Sequence, residues 1–204
     1  PSAEPAPPRS LAAGERRDAF GFFGNVSPFK GVTVALEAAQ RLVRQGENRF
    51  TLSIHGGMPF QTGAFKDQVE SLARKSAGTV ALRGAYKLPE LRALIAAVDW
   101  VVVPSIWWEN APLVIQEVFL YRRPVICSDI GGMAEAVRDG MDGLHFRVGD
   151  PVDLARAMRR AMDEPGLWER LSGGIAAPPS LADCAAEHLS LYHQLSVDQR
   201  RLSA

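Results

Sequence analysis

The stretch "AFGFFGNVSPFKGVTVALEAAQRLVRQG", residues 19–46, decides the fold because it joins an apolar strand to an amphipathic helix. "AFGFFG" is a short apolar run of the length of a buried strand. After a loop, apolar residues recur at helical spacing and cover most of one side of a helix: Val34, Leu36, Ala38, Ala39, Leu42 and Val43. Gly46 marks the end of that helix. The stretch therefore predicts a strand followed by a helix.

The same alternation continues to about residue 171. Further strand-like runs are "RFTLSIHGG", "TVALRG", "DWVVVPS", "RRPVICSD" and "GLHFRVGD", and helical patterns or turns separate them. Near-continuous apolar strands between helices indicate a parallel sheet covered on both faces. We therefore predict a doubly wound, mainly parallel α/β domain over residues 19–178. A Pro/Ala-rich linker or disordered tail would precede it at 1–18, and a separate helix would follow within 179–204.

The overall charge argues against a nucleic-acid partner. Lys and Arg together number 23, as do Asp and Glu, so the formal net charge is zero, and no basic run is interleaved with aromatic residues. No secretory signal and no run of about 18 to 20 apolar residues is present. Cys127 and Cys184 form neither a metal-ligand spacing nor a disulfide framework, which suits a reducing compartment. These features predict a cytoplasmic protein.

Ligands of doubly wound sheets bind beyond the carboxyl ends of the strands. One loop of that edge lies in "PSIWWENAPLVIQEVFLYRRP", residues 104–124. Pro112 suits a first helical turn, so we place the start of the following helix near Ala111. The backbone N–H groups of Leu113 and Val114 would then lie at a positive helix end, which favours a phosphate.

Glu117 places a charge in the middle of this almost wholly apolar helix. A carboxylate among apolar neighbours is costly unless a partner hydrogen-bonds it. The partner could be Arg122 or Arg123, the side chain could lie at an exposed edge, or a ligand could supply the hydrogen bonds. The pattern alone leaves these explanations open.

The same stretch resembles a known family. The succession of "PS", Glu109, "LVIQE", "RRPVICSD" and a Gly pair resembles the C-terminal, donor-binding domain of retaining glycosyltransferases of the GT-B fold, family 4 or group 1, over roughly residues 20–175. The family hallmark is two glutamates eight positions apart, and Glu109 and Glu117 match it. The resemblance implies that Glu117 binds the ribose hydroxyls of a nucleotide diphosphate sugar. It also implies that Glu109 holds the hydroxyl groups of the donor sugar near the reacting carbon.

The loop after the first strand carries the resemblance further. Lys30 precedes a helix N-terminus, where a cation opposes the helix dipole unless an anion is bound, although a solvated surface lysine is the simpler explanation. In the family a lysine here contacts the donor diphosphate and offsets charge on the leaving group. An arginine commonly follows the strand glycine as a second phosphate ligand. Here Asn25 follows Gly24, so that contact brings a hydrogen bond without charge.

Other residues at this edge have weaker signals. Gly132 could allow close approach of a ligand or of a neighbouring helix. Tyr86 lies where the family contacts the nucleotide base, and His55 is expected to be a local hydrogen-bond partner. Trp107 and Trp108 could line a sugar face, although partial burial against a loop is the more ordinary explanation. Pro112 also stands where many relatives have glycine, which removes one backbone donor.

The resemblance implies a donor domain of a hexosyltransferase that requires no cofactor and no metal. An acceptor-binding, N-terminal domain of the same protein would complete the enzyme, residues 1–18 would link the two, and any membrane contact would be made by that other domain. The isolated chain is then expected to be inactive in transfer. A nucleotide-sugar epimerase or a non-catalytic nucleotide-binding module is the alternative. The sequence does not choose the donor base, the sugar or the acceptor.

Overall fold

The computed structural model describes residues 8–12 and 14–202, except for the side chains of residues 181 and 196–202. Six strands form one sheet in the order β3-β2-β1-β4-β5-β6, and every pairing is parallel. The strands are β1 Ala19–Phe23, β2 Thr51–His55, β3 Val80–Gly84, β4 Trp100–Val103, β5 Val125–Ser128 and β6 Gly143–Phe146. This strand order is that of a dinucleotide-binding Rossmann sheet.

The first five α-helices connect consecutive strands, and the others follow β6. The helices are α1 Val32–Arg44, α2 Gly63–Arg74, α3 Leu91–Ala96, α4 Leu113–Leu120, α5 Gly131–Ala136, α6 Pro151–Asp163, α7 Leu167–Gly174 and α8 Leu181–Leu202, with a short 3-10 helix at Leu88–Glu90. The predicted segment "GVTVALEAAQRLVRQG" contains α1, and its apolar side is buried except for Val43, which is partly buried. Among the described residues, no helix is long and apolar enough to cross a membrane.

Two hydrophobic cores cover the two faces of the sheet. One core joins α1, α2, α6 and α7 to strand residues such as Phe20, Leu52 and Ile126. The other joins α3, α4 and α5 to residues such as Val101 and Cys127. Ile126 and Cys127 fall in different cores because successive strand side chains point to opposite faces. The prediction of a doubly wound parallel sheet with helices on both faces is confirmed.

The sheet has its switch point at β1. This strand pairs with β2 on one side and with β4 on the other, so the loops after β1 and β4 leave neighbouring strands and connect to opposite faces. The two loops are joined directly, because the backbone N–H of Ile106 donates to the Phe29 carbonyl over 2.9 Å. A crevice at such a switch point is the usual ligand site of open α/β sheets.

The opposite, amino edge of the sheet is held by Asp99. The carboxylate is 1% exposed and accepts from the guanidinium groups of Arg9 at 2.8 Å and Arg17 at 3.1 Å. The backbone N–H of Ala19 donates to the same carboxylate. The Arg17 guanidinium also lies 4.1 Å from the ring centroid of Trp168. Two arginines of the segment before β1, which forms neither helix nor strand in its described part, are thus anchored to the domain.

The helix α8 contrasts with this anchored segment. Its described side chains are almost all exposed, including Leu189, Leu191 and Leu195. The helix lies within residues 179–204. Its described side chains contribute nothing to either hydrophobic core.

We expect Asp99→Asn to lower the free energy of unfolding by about 3 kcal/mol, because two arginines would lose their buried carboxylate. Asp163→Asn is the matched control, since the Asp163 side chain is half exposed and pairs with Arg16 at the surface. We expect that control to cost less than about 0.5 kcal/mol. Urea denaturation of both variants measures the difference, and equal losses would contradict the anchoring role.

Candidate functional site

The loops after β1 and β4 bring Lys30 and Glu109 together. The Lys30 ammonium lies 2.6 Å from Oε1 of Glu109, and the hydroxyl of Ser105 donates to the same oxygen over 2.9 Å. The Glu109 side chain is 17% exposed and that of Lys30 37%, so both can be reached from solvent. The two residues assigned to catalysis from sequence therefore form one ion pair at the carboxyl edge. The second carboxylate oxygen of Glu109, Oε2, accepts no hydrogen bond from the described residues.

Glycines make this approach of the loops possible. A Cβ on Gly31 would lie 1.7 Å from the carbonyl oxygen of Pro104, and Gly31 also has a φ of 65°. A Cβ on Gly132 would lie 2.2 Å from the carbonyl oxygen of Asn110. The N–H of Gly132 donates to the backbone carbonyl of Glu109 over 2.6 Å. Gly132 therefore packs against the Glu109 loop and helps to position it.

Glu117 lies one turn into α4 and is partly buried. Burial raises the pKa of its carboxyl above the ordinary value of 4.5. Within the described part of the chain, the carboxylate forms no ion pair or hydrogen bond, and so the pairing with Arg122 or Arg123 considered from sequence is not observed. The charge of Glu117 is left available to a ligand.

Tyr86 lies close enough to Glu117 for that carboxylate to raise the Tyr86 pKa, in addition to the larger effect of burial. Its ring meets Phe23 edge to face at 6.1 Å and His55 at 6.4 Å. His55 stacks on Phe23 with ring centroids 5.0 Å apart. Burial, and then the charge of Arg83, lowers the pKa of His55, which favours the neutral ring. His55 is thus a packed aromatic residue, and its ring forms no hydrogen bond with the described residues.

A cavity of about 570 Å³ opens beside this aromatic group. Its lining includes His55 and the loop residues Gly84, Ala85 and Tyr86, and it continues between β2 and α3. The volume lies within the range of pockets that hold small ligands. The position predicted for a base contact therefore borders a real cavity.

The start of α4 differs from the prediction. The helix begins at Leu113, two residues later than expected, because Pro112 is extended with a ψ of 99° and caps the helix from outside. Leu113 and Val114 remain its first two residues. Backbone N–H groups in a first turn have no acceptor within the helix, so these two can still bind an anion.

Gly24 and Asn25 follow β1 directly. Gly24 has a φ of 136°, and a Cβ there would meet no atom within 4 Å, so its backbone borders open space. The N–H of Gly24 donates to the His55 carbonyl over 3.0 Å, which joins the loops after β1 and β2. The Asn25 side chain is exposed and can donate to a ligand. Both residues lie at the edge where the sequence places them.

The two tryptophans are partly buried, but most of each side chain is exposed. Trp107 is 60% exposed and Trp108 is 71% exposed, so neither is mainly covered by a neighbouring loop. Trp107 meets Phe29 edge to face at 5.6 Å. The loop that carries Glu109 therefore presents aromatic rings to solvent.

Two contributors were not identified from sequence, Ser105 and Gly31. Ser105 holds Glu109, and its only signal was the "PS" that follows β4. Gly31 leaves space for the Pro104 carbonyl oxygen, and the dipeptide "KG" in the sequence gives no signal of that contact. Among the described residues, no group of three or more His, Cys, Asp or Glu side chains could hold a metal ion. The assembled groups are instead suited to an anion and to hydroxyl groups.

Known proteins with related sequences were compared with the chain. A D-inositol 3-phosphate glycosyltransferase from Streptomyces bingchenggensis is 30% identical over 190 residues, covering 85% of the chain and 41% of that protein. The chain thus spans less than half the length of this relative.

Solved structures share the fold. HepE from Anabaena, in complex with UDP and glucose, matches with a TM-score of 0.71 at 22% identity, over 89% of the chain and 49% of HepE. The C-terminal domain of a group 1 glycosyltransferase from Francisella tularensis matches with a TM-score of 0.67 at 18% identity, over 77% of the chain and 81% of that domain. Both likenesses concern the fold.

The model of the family "Glycosyl transferases group 1" matches residues 17–164, which include the whole sheet and the loops at its carboxyl edge. The match covers every site residue named above. The chain belongs to the group 1 glycosyltransferases, and its fold is that of one Rossmann-like half of a GT-B enzyme.

Proposed function

We propose that this chain is the donor-binding half of a retaining hexosyltransferase that uses a nucleotide diphosphate sugar. The observation that carries the proposal is Glu117, a partly buried carboxylate without a partner in the described chain, on the helix that follows the loop of Glu109. A ligand rich in hydroxyl and phosphate groups would satisfy Glu117, Glu109 and Lys30. The relative HepE, crystallised with UDP and glucose, supports this class of ligand.

Each part of the donor has a candidate partner. The diphosphate would bind Lys30, the N–H groups of Leu113 and Val114, and the edge formed by Gly24 and Asn25. The ribose hydroxyls would donate to Glu117, and the base would lie against the loop of Tyr86, beside the 570 Å³ cavity.

Glu109 would accept from the sugar hydroxyls, and Gly132 would keep its loop in place. The ammonium of Lys30 would move from Glu109 towards the diphosphate when the donor binds.

Sugar transfer with retention requires electrostatic stabilisation of the leaving diphosphate and no protein nucleophile. Lys30 and the positive end of α4 supply that stabilisation, while Glu109 fixes the sugar so that the acceptor attacks the face from which the diphosphate leaves. The anomeric configuration is then retained. We propose that this step requires no metal cofactor.

The acceptor would be bound by a second domain of the same protein. The chain spans 41% of the length of the inositol phosphate glycosyltransferase, which leaves room in such a protein for another domain. We propose that this chain alone binds donor but transfers sugar poorly or not at all. Contact with a membrane would be made by the other domain, and the cytoplasmic location stays a prediction.

We expect Glu117→Gln to weaken the binding of UDP by roughly 1 to 3 kcal/mol, because the neutral amide replaces a charged acceptor of the ribose hydroxyls. Calorimetric titration of the chain with UDP, GDP and ADP measures this loss and identifies the base. Glu37→Gln is the control, since Glu37 is an exposed carboxylate on α1, away from the edge loops. If none of the three nucleotides binds, or if both variants bind equally well, the donor-domain proposal is wrong.

The raised pKa of Glu117 predicts a pH dependence of nucleotide binding. Burial favours the neutral acid in the empty site, whereas ribose hydroxyl donors favour the carboxylate. Binding should therefore lower this pKa and release a proton, and affinity should rise as pH increases from 4.5 through the raised value. Titrations in two buffers of different ionisation enthalpy measure the released protons.

Glu117→Gln separates this effect from titration of the nucleotide. The variant should keep only the proton release that comes from the phosphates of the ligand. An unchanged proton release in the variant would exclude Glu117 as the ribose-binding group.

We expect Gly132→Ala to weaken binding of the nucleotide sugar more than binding of the nucleotide alone. The new Cβ would displace the backbone of Asn110 and Glu109, and Glu109 contacts only the sugar in the proposed complex. Gly173→Ala is the control, because a Cβ on Gly173 in α7 meets no atom within 4 Å. We expect the control to bind normally and to gain up to about 1 kcal/mol of stability. Equal losses for UDP and UDP-glucose in Gly132→Ala would place Glu109 away from the sugar.

A further inference from the structure

Three aromatic side chains stand exposed beside the Lys30–Glu109 pair. Phe29 is 61% exposed, Trp107 60% and Trp108 71%. Phe29 and Trp107 belong to different loops and meet edge to face, with ring centroids 5.6 Å apart and ring planes at 72°. We call these three residues the aromatic ridge.

The backbone under the aromatic ridge is fixed. Ile106, next to Trp107, donates its N–H to the Phe29 carbonyl over 2.9 Å. The Cα and ring of Trp108 lie 3.3 Å from the point that a Cβ on Gly131 would occupy. Large rings on a fixed backbone lose little conformational entropy when a ligand covers them. An exposed apolar surface of this kind usually marks a binding site.

Phe29 and Trp107 of the aromatic ridge are close in sequence to the two residues of the ion pair. Phe29 precedes Lys30 in one loop, and Trp107 lies two residues before Glu109 in the other. The same two loops thus form an aromatic pair and an ion pair side by side. Ser105 is buried, Glu109 and Lys30 have side chains that are 17% and 37% exposed, and each residue of the ridge is at least 60% exposed. A molecule on the ridge would therefore lie closer to solvent than a sugar held by Glu109.

The chemistry of the aromatic ridge fits a sugar ring. One face of a pyranose presents C–H groups, which complement the negative face of an aromatic ring. Its rim of hydroxyls needs hydrogen bonds, and the exposed Asn110 beside Trp108 offers both a donor and an acceptor. Because the ridge lies next to Glu109, a molecule that takes part in the sugar transfer is a better candidate occupant than the surface of another protein.

We propose that the aromatic ridge is a saccharide platform that holds one sugar ring of the acceptor against the donor sugar, while the second domain binds the rest of the acceptor. The proposal rests on the proposed function, since the donor sugar must lie at Glu109. The ligand class is a neutral saccharide or glycoside, with one sugar ring stacked on Trp107 and its edge against Phe29. Trp107 is then a specificity-determining residue for the acceptor and not for the nucleotide.

The test uses the four tryptophans as separate reporters. The indole N–H of Trp100 donates to the Arg17 carbonyl and that of Trp168 to the Asp99 carbonyl, so both are engaged inside the domain. The chain, saturated with UDP, is titrated with maltotriose, chitotriose and methyl α-glucoside while the indole N–H resonances are followed by NMR. We expect at least one saccharide to shift the Trp107 and Trp108 signals and to leave the Trp100 and Trp168 signals unchanged.

Variants make the assignment specific. We expect Trp107→Ala to weaken saccharide binding about tenfold, with Trp107→Tyr restoring most of it. Phe60→Ala is the matched control, because Phe60 is a 94% exposed aromatic residue in the loop after β2 and should not affect saccharide binding. UDP affinity should be the same in all three variants.

The outcomes separate the two proposals. If UDP does not bind to the wild-type chain, the donor proposal fails, whatever the saccharides do. If UDP binds but no saccharide shifts the Trp107 or Trp108 signal, the platform proposal alone is wrong. If a protein that also carries the proposed second domain shields these indoles from acrylamide quenching before saccharide is added, the platform proposal is also wrong, because protein would then cover the ridge.

Discussion

The close contact between Gly31 and the Pro104 carbonyl is the constraint on which the site depends. A Cβ at Gly31 would fall 1.7 Å from that oxygen, so any other residue would force the loops after β1 and β4 apart. Because Gly31 is also left-handed, it ends the first loop and starts α1 at the same point. The ion pair of Lys30 with Glu109 and the aromatic pair of Phe29 with Trp107 both require this approach.

The two glutamates of the site have opposite electrostatic environments. Glu109 already has an ammonium and a hydroxyl as partners, whereas Glu117 is partly buried without any within the described residues. In the proposed complex a donor would have to separate Lys30 from Glu109, which costs energy, and would hydrogen-bond Glu117, which offsets it. The ion pair would keep Glu109 oriented in the empty protein, so that the sugar meets a carboxylate already in position.

The amino edge of the sheet anchors the chain, whereas the carboxyl edge carries the candidate site. At the amino edge, Asp99 joins Arg9 and Arg17 to the start of β4 through partly buried, charge-assisted hydrogen bonds. At the carboxyl edge, the loops expose Phe29, Trp107 and Trp108 and place charged groups within reach of solvent. Because the amino edge anchors the chain, the domain can tolerate exposed aromatic side chains and charged groups in the loops of the carboxyl edge, on which its stability does not depend.

The sequence by itself determined the alternation of strands and helices, and with it the doubly wound sheet, because helical and strand periodicities are local properties of the chain. It also identified Glu109 and Glu117, whose spacing matches a family motif and lies in one short segment. Only the tertiary structure decided which residues meet across loops: Lys30 with Glu109, Gly31 with the Pro104 carbonyl, and Arg9 with Asp99, 90 residues away. It also decided that Trp107 is exposed, because burial depends on which neighbours cover a loop, and those neighbours are distant in sequence.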